Sequence, residues 1–208
     1  MSWNYRYLEW RFNNLSEAVA FLLASLSLAV AFIPFYNPYA IVSNPIQNII
    51  IPYVVALLAV IPHEIGHRQM ARRYNCYSRF ALSFAGFWTT LLFNLVGSFL
   101  HFLVFFSGYT AISCGFRSST EIEGKTAMAG PLTNIILGFI GLIGSLFLPP
   151  FSLIGIFFAE LASFNFWVAF FNLLPFWVLD GLKIFRWNVI IWGILILIAF
   201  VITFFVVI

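Results

Sequence analysis

Charged side chains are scarce in this chain of 208 residues: they make up 8% of it, whereas 62% of the residues are hydrophobic. A soluble domain carries about a quarter charged residues, so the composition excludes a soluble core and indicates a polytopic membrane protein. The net charge of +3 comes from few residues. We therefore expect the basic residues to orient the chain in the lipid bilayer, and we expect no nucleic-acid partner.

Cysteine is nearly absent as well. The chain has two cysteines, Cys76 and Cys114, which lie far apart and match no metal or redox spacing. This favours two unpaired thiols over a disulfide. A cleavable signal peptide is not evident. Glu17 stands directly before the first apolar run, and no cleavage site follows a short apolar segment.

Apolar runs predict five membrane spans, with one further region left ambiguous. The spans cover residues 18–35, 46–73, 126–148, 151–174 and 189–208, and residues 80–116 hold no charged side chain. Before them, residues 1–15 predict either a short helix on the membrane surface or an aromatic belt at its edge. We expect an all-α polytopic membrane protein of five to six transmembrane helices. A small β element near the cytosolic leaflet is expected from residues 80–84 and 109–116, which are rich in aromatic and β-branched residues.

Basic residues favour one path through the ambiguous region. Residues 36–48 contain no lysine or arginine, so this loop is expected outside. If residues 80–106 enter the membrane and return to the same side, all ten basic residues lie inside. We therefore expect a multi-pass protein of the cell membrane. His63, His67 and Asp180 then come to its cytosolic side at similar depth.

Histidine and aspartate are also rare, and several of them lie at apolar segments, where burying an ionisable group costs free energy. Of three histidines, two belong to the motif His63-Glu64-Ile65-Gly66-His67 near the end of an apolar run. Histidines four residues apart share one helix face, as zinc ligands must, and the glutamate between them can act as a general base.

A third zinc ligand is expected beside the two histidines. Asp180 is the natural candidate, because it is the chain's sole aspartate. Pro175 should break the helix before it, and Gly181 should give the backbone freedom after it.

Three separated motifs resemble the site-2 protease family of intramembrane zinc metalloproteases. They are the histidine motif, the run Ala-Gly-Pro-Leu-Thr-Asn at 129–134, and Asn172-x-x-Pro175-x4-Asp180-Gly181. The resemblance covers about residues 46–187, the expected catalytic core of a single domain 1–208, with residues 188–208 as a C-terminal helix. The Ala-Gly-Pro part has no evident chemical role. Residues 176–179 depart from the proline-rich run that many members carry, and no PDZ insertion is recognisable.

The resemblance implies a function for the residues of these motifs. His63, His67 and Asp180 would bind one zinc ion per chain, and Glu64 would activate water. Asn172 would contact the substrate or a developing oxyanion. The substrate would be a transmembrane segment of another protein. The sequence leaves the oligomeric state open.

Several polar residues permit other interpretations. Asn134 either reaches the site as a substrate-binding residue or belongs to a face of small residues that packs one helix against another. Glu160 and His101 are expected to be structural, yet with Asp180 they could form the polar path of a transporter or channel. A non-cleaving relative that binds membrane segments is the other alternative.

Overall fold

The computed structural model of the chain describes residues 3–100, 102–115, 119–176 and 179–207. His101 and Arg117, on which the polar path and the orientation argument partly depend, lie outside the described residues. The described helices and strands follow one another as α1 (Trp3–Asn13), α2 (Glu17–Ala29), α3 (Pro38–Ser43), α4 (Ile51–Arg73), β1 (Tyr77–Leu82), α5 (Phe84–Leu100), β2 (Gly108–Ser113), α6 (Thr120–Leu146), α7 (Leu153–Leu173), α8 (Asp180–Trp187) and α9 (Val189–Phe205). A 3₁₀ turn (Val30–Phe32) extends α2, and a π-helical turn (Ile46–Ile50) leads into α4.

Two units make up the chain. The first comprises Met1–Val60 and Arg79–Ala111, and the second comprises Ile61–Ser78 and Ile112–Ile208. The boundary crosses α4 and both strands. The single domain expected over 1–208 stays a prediction.

Candidate membrane spans among the described residues number three or four, against the five to six expected. Within the described residues, three helices are long and apolar enough to cross a membrane, Ile46–Arg73, Thr120–Leu146 and Leu153–Leu173. A fourth crossing results if α1 and α2, which meet at a bend of 108°, count as one broken span. Helices α5 and α9 are apolar but shorter, with 17 residues each, at the lower end of the range of about 17–25 residues for a membrane span. The expectation of a mostly helical membrane protein with a small sheet is confirmed, whereas five to six spans are not.

Helix α5 in the first unit is followed by a segment that runs back along it. Asn94, fully buried in α5, donates to the carbonyl of Val104 and accepts from its N–H at 3.0 and 2.9 Å. The N–H of Ser83 then donates to the carbonyl of Ser107 at 2.9 Å, and β2 pairs with β1. Non-helical backbone in apolar surroundings needs partners within the protein, and Asn94 supplies two. The chain therefore reverses direction between the two strands.

Helix α1 lies against the start of α5, also within the first unit. Phe12 contacts the rings of Phe84 and Phe87, with centroids 5.0 and 5.9 Å apart. The Glu9 carboxylate accepts from the N–H of Ala85 at 3.3 Å, as suits an acid at a helix N-terminus. The short N-terminal helix is confirmed, and its position on a membrane surface stays a prediction.

Small residues on α6 let α7 approach it closely in the second unit. A Cβ added at Gly138 would lie 2.8 Å from the Phe166 ring, and one at Gly141 would lie 2.4 Å from the backbone nitrogen of Ala162. These contacts confirm the packing interpretation of the small-residue face for Gly138 and Gly141. The same unit holds a buried cluster from α6, α7, α8 and α9 that includes Ile135, Phe166, Leu173, Ile184 and Leu195.

The expectation of two unpaired thiols is wrong, because Cys76 and Cys114 form a disulfide. A turn with Asn75 at φ 57° follows α4. It places Cys76 directly before β1, while Cys114 directly follows β2. Strand pairing thus brings together two cysteines that are 38 residues apart in sequence. That pairing could not be read from their spacing.

The enter-and-return path predicts which side of the membrane each strand faces. Single cysteines in place of Tyr77 and Tyr109, which are 70% and 49% exposed, should react with an impermeant maleimide from the same side. A cysteine at Tyr39, 82% exposed in the loop expected outside, should react from the other side. Cys76 and Cys114, which form the disulfide, are replaced by serine in these variants, so that only the introduced thiol can react.

Labelling of positions 77 and 109 from opposite sides would contradict the hairpin. Labelling of position 39 from the side of position 77 would instead overturn the orientation.

Candidate metal centre

Helix α4 presents both motif histidines on one face. Pro62 lies inside the helix, and α4 continues through it to Arg73, so His63 and His67 keep their one-turn separation. Their Nε2 atoms are 3.0 Å apart. The two residues are 2% and 5% exposed. The imidazoles therefore converge inside the second unit.

The third group of the centre, Asp180, begins helix α8. Helix α7 ends at Leu173, and Gly181 of α8 packs closely against the backbone carbonyl of Leu173. A Cβ added at Gly181 would lie 2.0 Å from the Leu173 oxygen. Glycine is thus required at 181 for close packing of the two helix ends, rather than for the backbone freedom expected from sequence. This packing sets Asp180 Oδ2 at 3.4 Å from His63 Nε2 and 3.0 Å from His67 Nε2.

The other carboxylate oxygen of Asp180 faces a lysine. Lys183 Nζ lies 3.6 Å from Oδ1, one turn along α8. Burial raises the pKa of the Asp180 carboxyl, but the neighbouring His67 and the Lys183 charge outweigh it and hold the pKa below its ordinary value. Asp180 is therefore ionised, which is the form that ligates a metal.

The three groups fit zinc. Their ligand atoms all lie within 4.8 Å of one another, the one such cluster of three in the described part of the chain. Ligands of a tetrahedral zinc with bonds of about 2.1 Å lie about 3.4 Å apart, close to the distances given above. Three protein ligands that leave one position open are typical of a catalytic zinc.

Gly130 of α6 faces both histidines across the centre. A Cβ added there would lie 2.3 Å from His67 Nε2 and 2.6 Å from His63 Nε2. The missing side chain thus leaves room beside the metal-binding nitrogens. This gives the Ala-Gly-Pro motif the role that sequence alone did not reveal.

A second close contact brings α6 against the histidine helix. A Cβ added at Gly66 would lie 2.8 Å from both the Ala129 carbonyl and Thr133 Oγ1. The glycine inside the histidine motif therefore allows the approach that puts Gly130 opposite the imidazoles.

Both imidazoles use their far nitrogen to bind neighbouring protein groups. His67 Nδ1 donates to the carbonyl of Thr126 at 2.8 Å, and His63 Nδ1 lies within hydrogen-bond distance of Asn134 Oδ1. A proton on Nδ1 leaves the Nε2 lone pair for a metal. The Thr126 carbonyl was invisible to sequence reasoning, because a backbone acceptor carries no residue signature.

The base candidate Glu64 is buried at 3% exposure. Its charge interacts with His67, but its oxygens are not part of the three-residue cluster. This placement is compatible with a group that handles protons and does not ligate.

Asn172 and Glu160 occupy α7. Asn172 is 6% exposed and donates to the carbonyl of Val168 in its own helix at 2.9 Å. Its catalytic and substrate-binding roles, like substrate binding by Asn134, stay predictions. Glu160 Oε2 is buried and has no hydrogen-bond partner among the described residues, so the expected structural hydrogen bond is not seen for this oxygen.

The open space at Gly130 yields a direct prediction. Gly130→Ala should abolish stoichiometric zinc binding, because the new methyl group would occupy the space next to both Nε2 atoms. Zinc content of the purified protein, measured by atomic emission, checks this. Gly193→Ala is the matched control, since a Cβ there meets nothing within 4 Å. One zinc per Gly130→Ala chain would contradict the assignment.

Comparison with known proteins places the chain among metalloproteases. It is 36% identical over 180 residues to a protein of Methanocaldococcus jannaschii that is, by its name, a candidate zinc metalloprotease; the match covers 80% of this chain and 83% of the relative. No protein-family model and no solved structure matches it. With a histidine, histidine and aspartate cluster that could hold the metal, the chain belongs to a zinc metalloprotease family.

Proposed function

We propose that the protein is an intramembrane endopeptidase of the site-2 protease type. It hydrolyses a peptide bond in or near a transmembrane segment of another membrane protein. The observation that carries this proposal is the buried cluster of His63, His67 and Asp180, two of whose members lie on an apolar helix of membrane-spanning length.

The proposal assigns a separate role to each of the buried groups. His63, His67 and Asp180 hold zinc, which polarises a carbonyl and makes water nucleophilic near neutral pH. Glu64 accepts the proton of the attacking water at its carboxylate and delivers it to the leaving amine. Such a transfer requires a carboxylate that is close to the metal ligands without being one of them.

The apolar surroundings explain why a membrane segment is the proposed substrate. The two histidines lie in the helix Ile46–Arg73, which meets the length and composition of a membrane span. Within hydrocarbon, a substrate helix has every backbone amide bonded internally. The substrate must therefore unwind locally before its carbonyl can reach the centre. We place the centre toward the cytosol, on the strength of the basic residues.

Asp180 also bears on the transport alternative. A polar path would require it to face a channel, whereas its Oδ2 lies within 3.4 Å of two imidazole nitrogens. This contact favours a metal site.

Removal of the base should separate binding from turnover. Glu64→Gln should retain one zinc per chain and lose proteolysis by at least about 10²-fold, because the amide cannot accept the proton. Zinc content and cleavage of a reconstituted membrane-protein substrate measure the two effects. Asp180→Ala provides the contrast, since it should lose the metal together with activity.

Wild-type cleavage by Glu64→Gln would rule out the base assignment. A wild-type protein without zinc would instead refute the metalloprotease proposal itself.

Asn172 is expected to donate its amide to the developing oxyanion. Loss of one such donor typically lowers the rate ~10²–10³-fold, so Asn172→Ala should keep its zinc and its unfolding midpoint while losing most of its turnover. Single-turnover cleavage, zinc content and thermal unfolding check the three quantities. Normal turnover, or loss of zinc with unfolding, would make Asn172 a structural residue.

A further inference from the structure

A chain of buried amides leads away from His63 into α7. Asn134 Nδ2 donates to Asn165 Oδ1 at 2.7 Å, and Asn165 Nδ2 donates to the carbonyl of Leu161 at 2.9 Å. Both asparagines are fully buried, at 0% exposure. The proposed function assigns nothing to Asn165, although it is connected to a metal-ligand candidate through one side chain.

The far end of this chain determines its direction. A backbone carbonyl can only accept a hydrogen bond, so the amino group of Asn165 must face Leu161 and its carbonyl oxygen must face Asn134. That oxygen then requires the amino group of Asn134. The remaining oxygen of Asn134 must in turn face His63.

The proton position on His63 follows from that direction. With only an acceptor beside it, His63 carries its proton on Nδ1 and directs the unprotonated Nε2 toward Asp180 and His67. If Asn134 were flipped, its amino group would face Nδ1 and favour the tautomer with its proton on Nε2, which cannot bind a metal. An asparagine amide has nearly the same shape in both orientations, so shape alone does not select one.

The geometry points to Asn165 as a positioning residue that acts through Asn134 to hold His63 in its metal-binding tautomer. This inference rests on the proposed metal centre. His67 needs no such relay, because its Nδ1 meets the Thr126 carbonyl directly. A backbone carbonyl therefore fixes the proton position on both ligands. It acts directly on His67 and through two asparagine side chains on His63.

The test compares zinc affinity, by competition with a chromogenic chelator, in variants of the full chain. Asn165→Leu keeps the branched shape of the side chain but removes the acceptor for Asn134, and we expect zinc to bind about 10-fold more weakly, at the low end of the ~10–100-fold typical for partners of metal ligands. Asn165→Asp should restore near-wild-type affinity, because a buried neutral carboxyl can donate to Leu161 and accept from Asn134. Asn165→Ala replaces the leucine variant if that does not fold.

A double-variant cycle separates positioning from general destabilisation. If Asn165 acts through Asn134, adding Asn165→Leu to Asn134→Leu should weaken zinc binding no further. Asn94→Leu is the matched control, a fully buried asparagine in the first unit, and it should leave zinc affinity unchanged while lowering the unfolding midpoint of the zinc-free protein.

Unchanged zinc affinity in Asn165→Leu, additive losses in the cycle, or no recovery in Asn165→Asp would each overturn the inference. Its failure is distinct from that of the proposed function. A wild type that binds zinc without cleaving would refute the protease proposal and leave the Asn165 result valid.

Discussion

The main constraint on this chain is that polar groups in apolar surroundings must find their partners within the protein. Apolar side chains and hydrocarbon cannot satisfy an amide or an imidazole, so leaving such a group unpaired costs free energy. The Asn94 side chain supplies such partners to the backbone of the segment that follows α5. Asn134 supplies a hydrogen-bond partner to the imidazole of His63. The same chemical group thus serves a structural purpose in the first unit and supports the metal centre in the second.

Close approach between helices is the other requirement of the centre, and glycine provides it. Gly66 permits contact with the backbone of α6, Gly130 leaves space in front of the histidines, and Gly181 allows the start of α8 to meet the end of α7. A side chain at any of the three would have to displace backbone or a metal ligand. The position of the three ligand atoms therefore depends as much on missing side chains as on the ligands themselves.

Asymmetry between the two histidines has consequences for how the centre is built. One imidazole is oriented by backbone and the other by side chains. Backbone acceptors are insensitive to substitution, whereas an amide relay depends on residue identity at both of its positions. The side of His63 is therefore where sequence changes in α6 and α7 can alter the metal affinity of α4.

Sequence alone was sufficient to identify the three residues that the structure brings together. The i,i+4 spacing of His63 and His67 follows from helix periodicity, and the single aspartate left one candidate of its type. The helical class was also predictable from composition, and the small sheet from the aromatic and β-branched runs. The distribution of basic residues favoured a chain reversal at 80–106, and the structure contains one. Helix lengths were not predictable, because an apolar run does not mark the residue at which a helix ends: α9 ends at Phe205, before the apolar run does.

Only the tertiary structure decided the remaining features. The disulfide depends on strand pairing between residues 38 apart, and the roles of Gly130 and Gly181 depend on which helix lies opposite. Asn165 carried one signal, a polar residue inside an apolar span, but its partner could not be inferred from it. Local sequence encodes periodicity and chemical type; distances between segments come from packing, which no single segment contains.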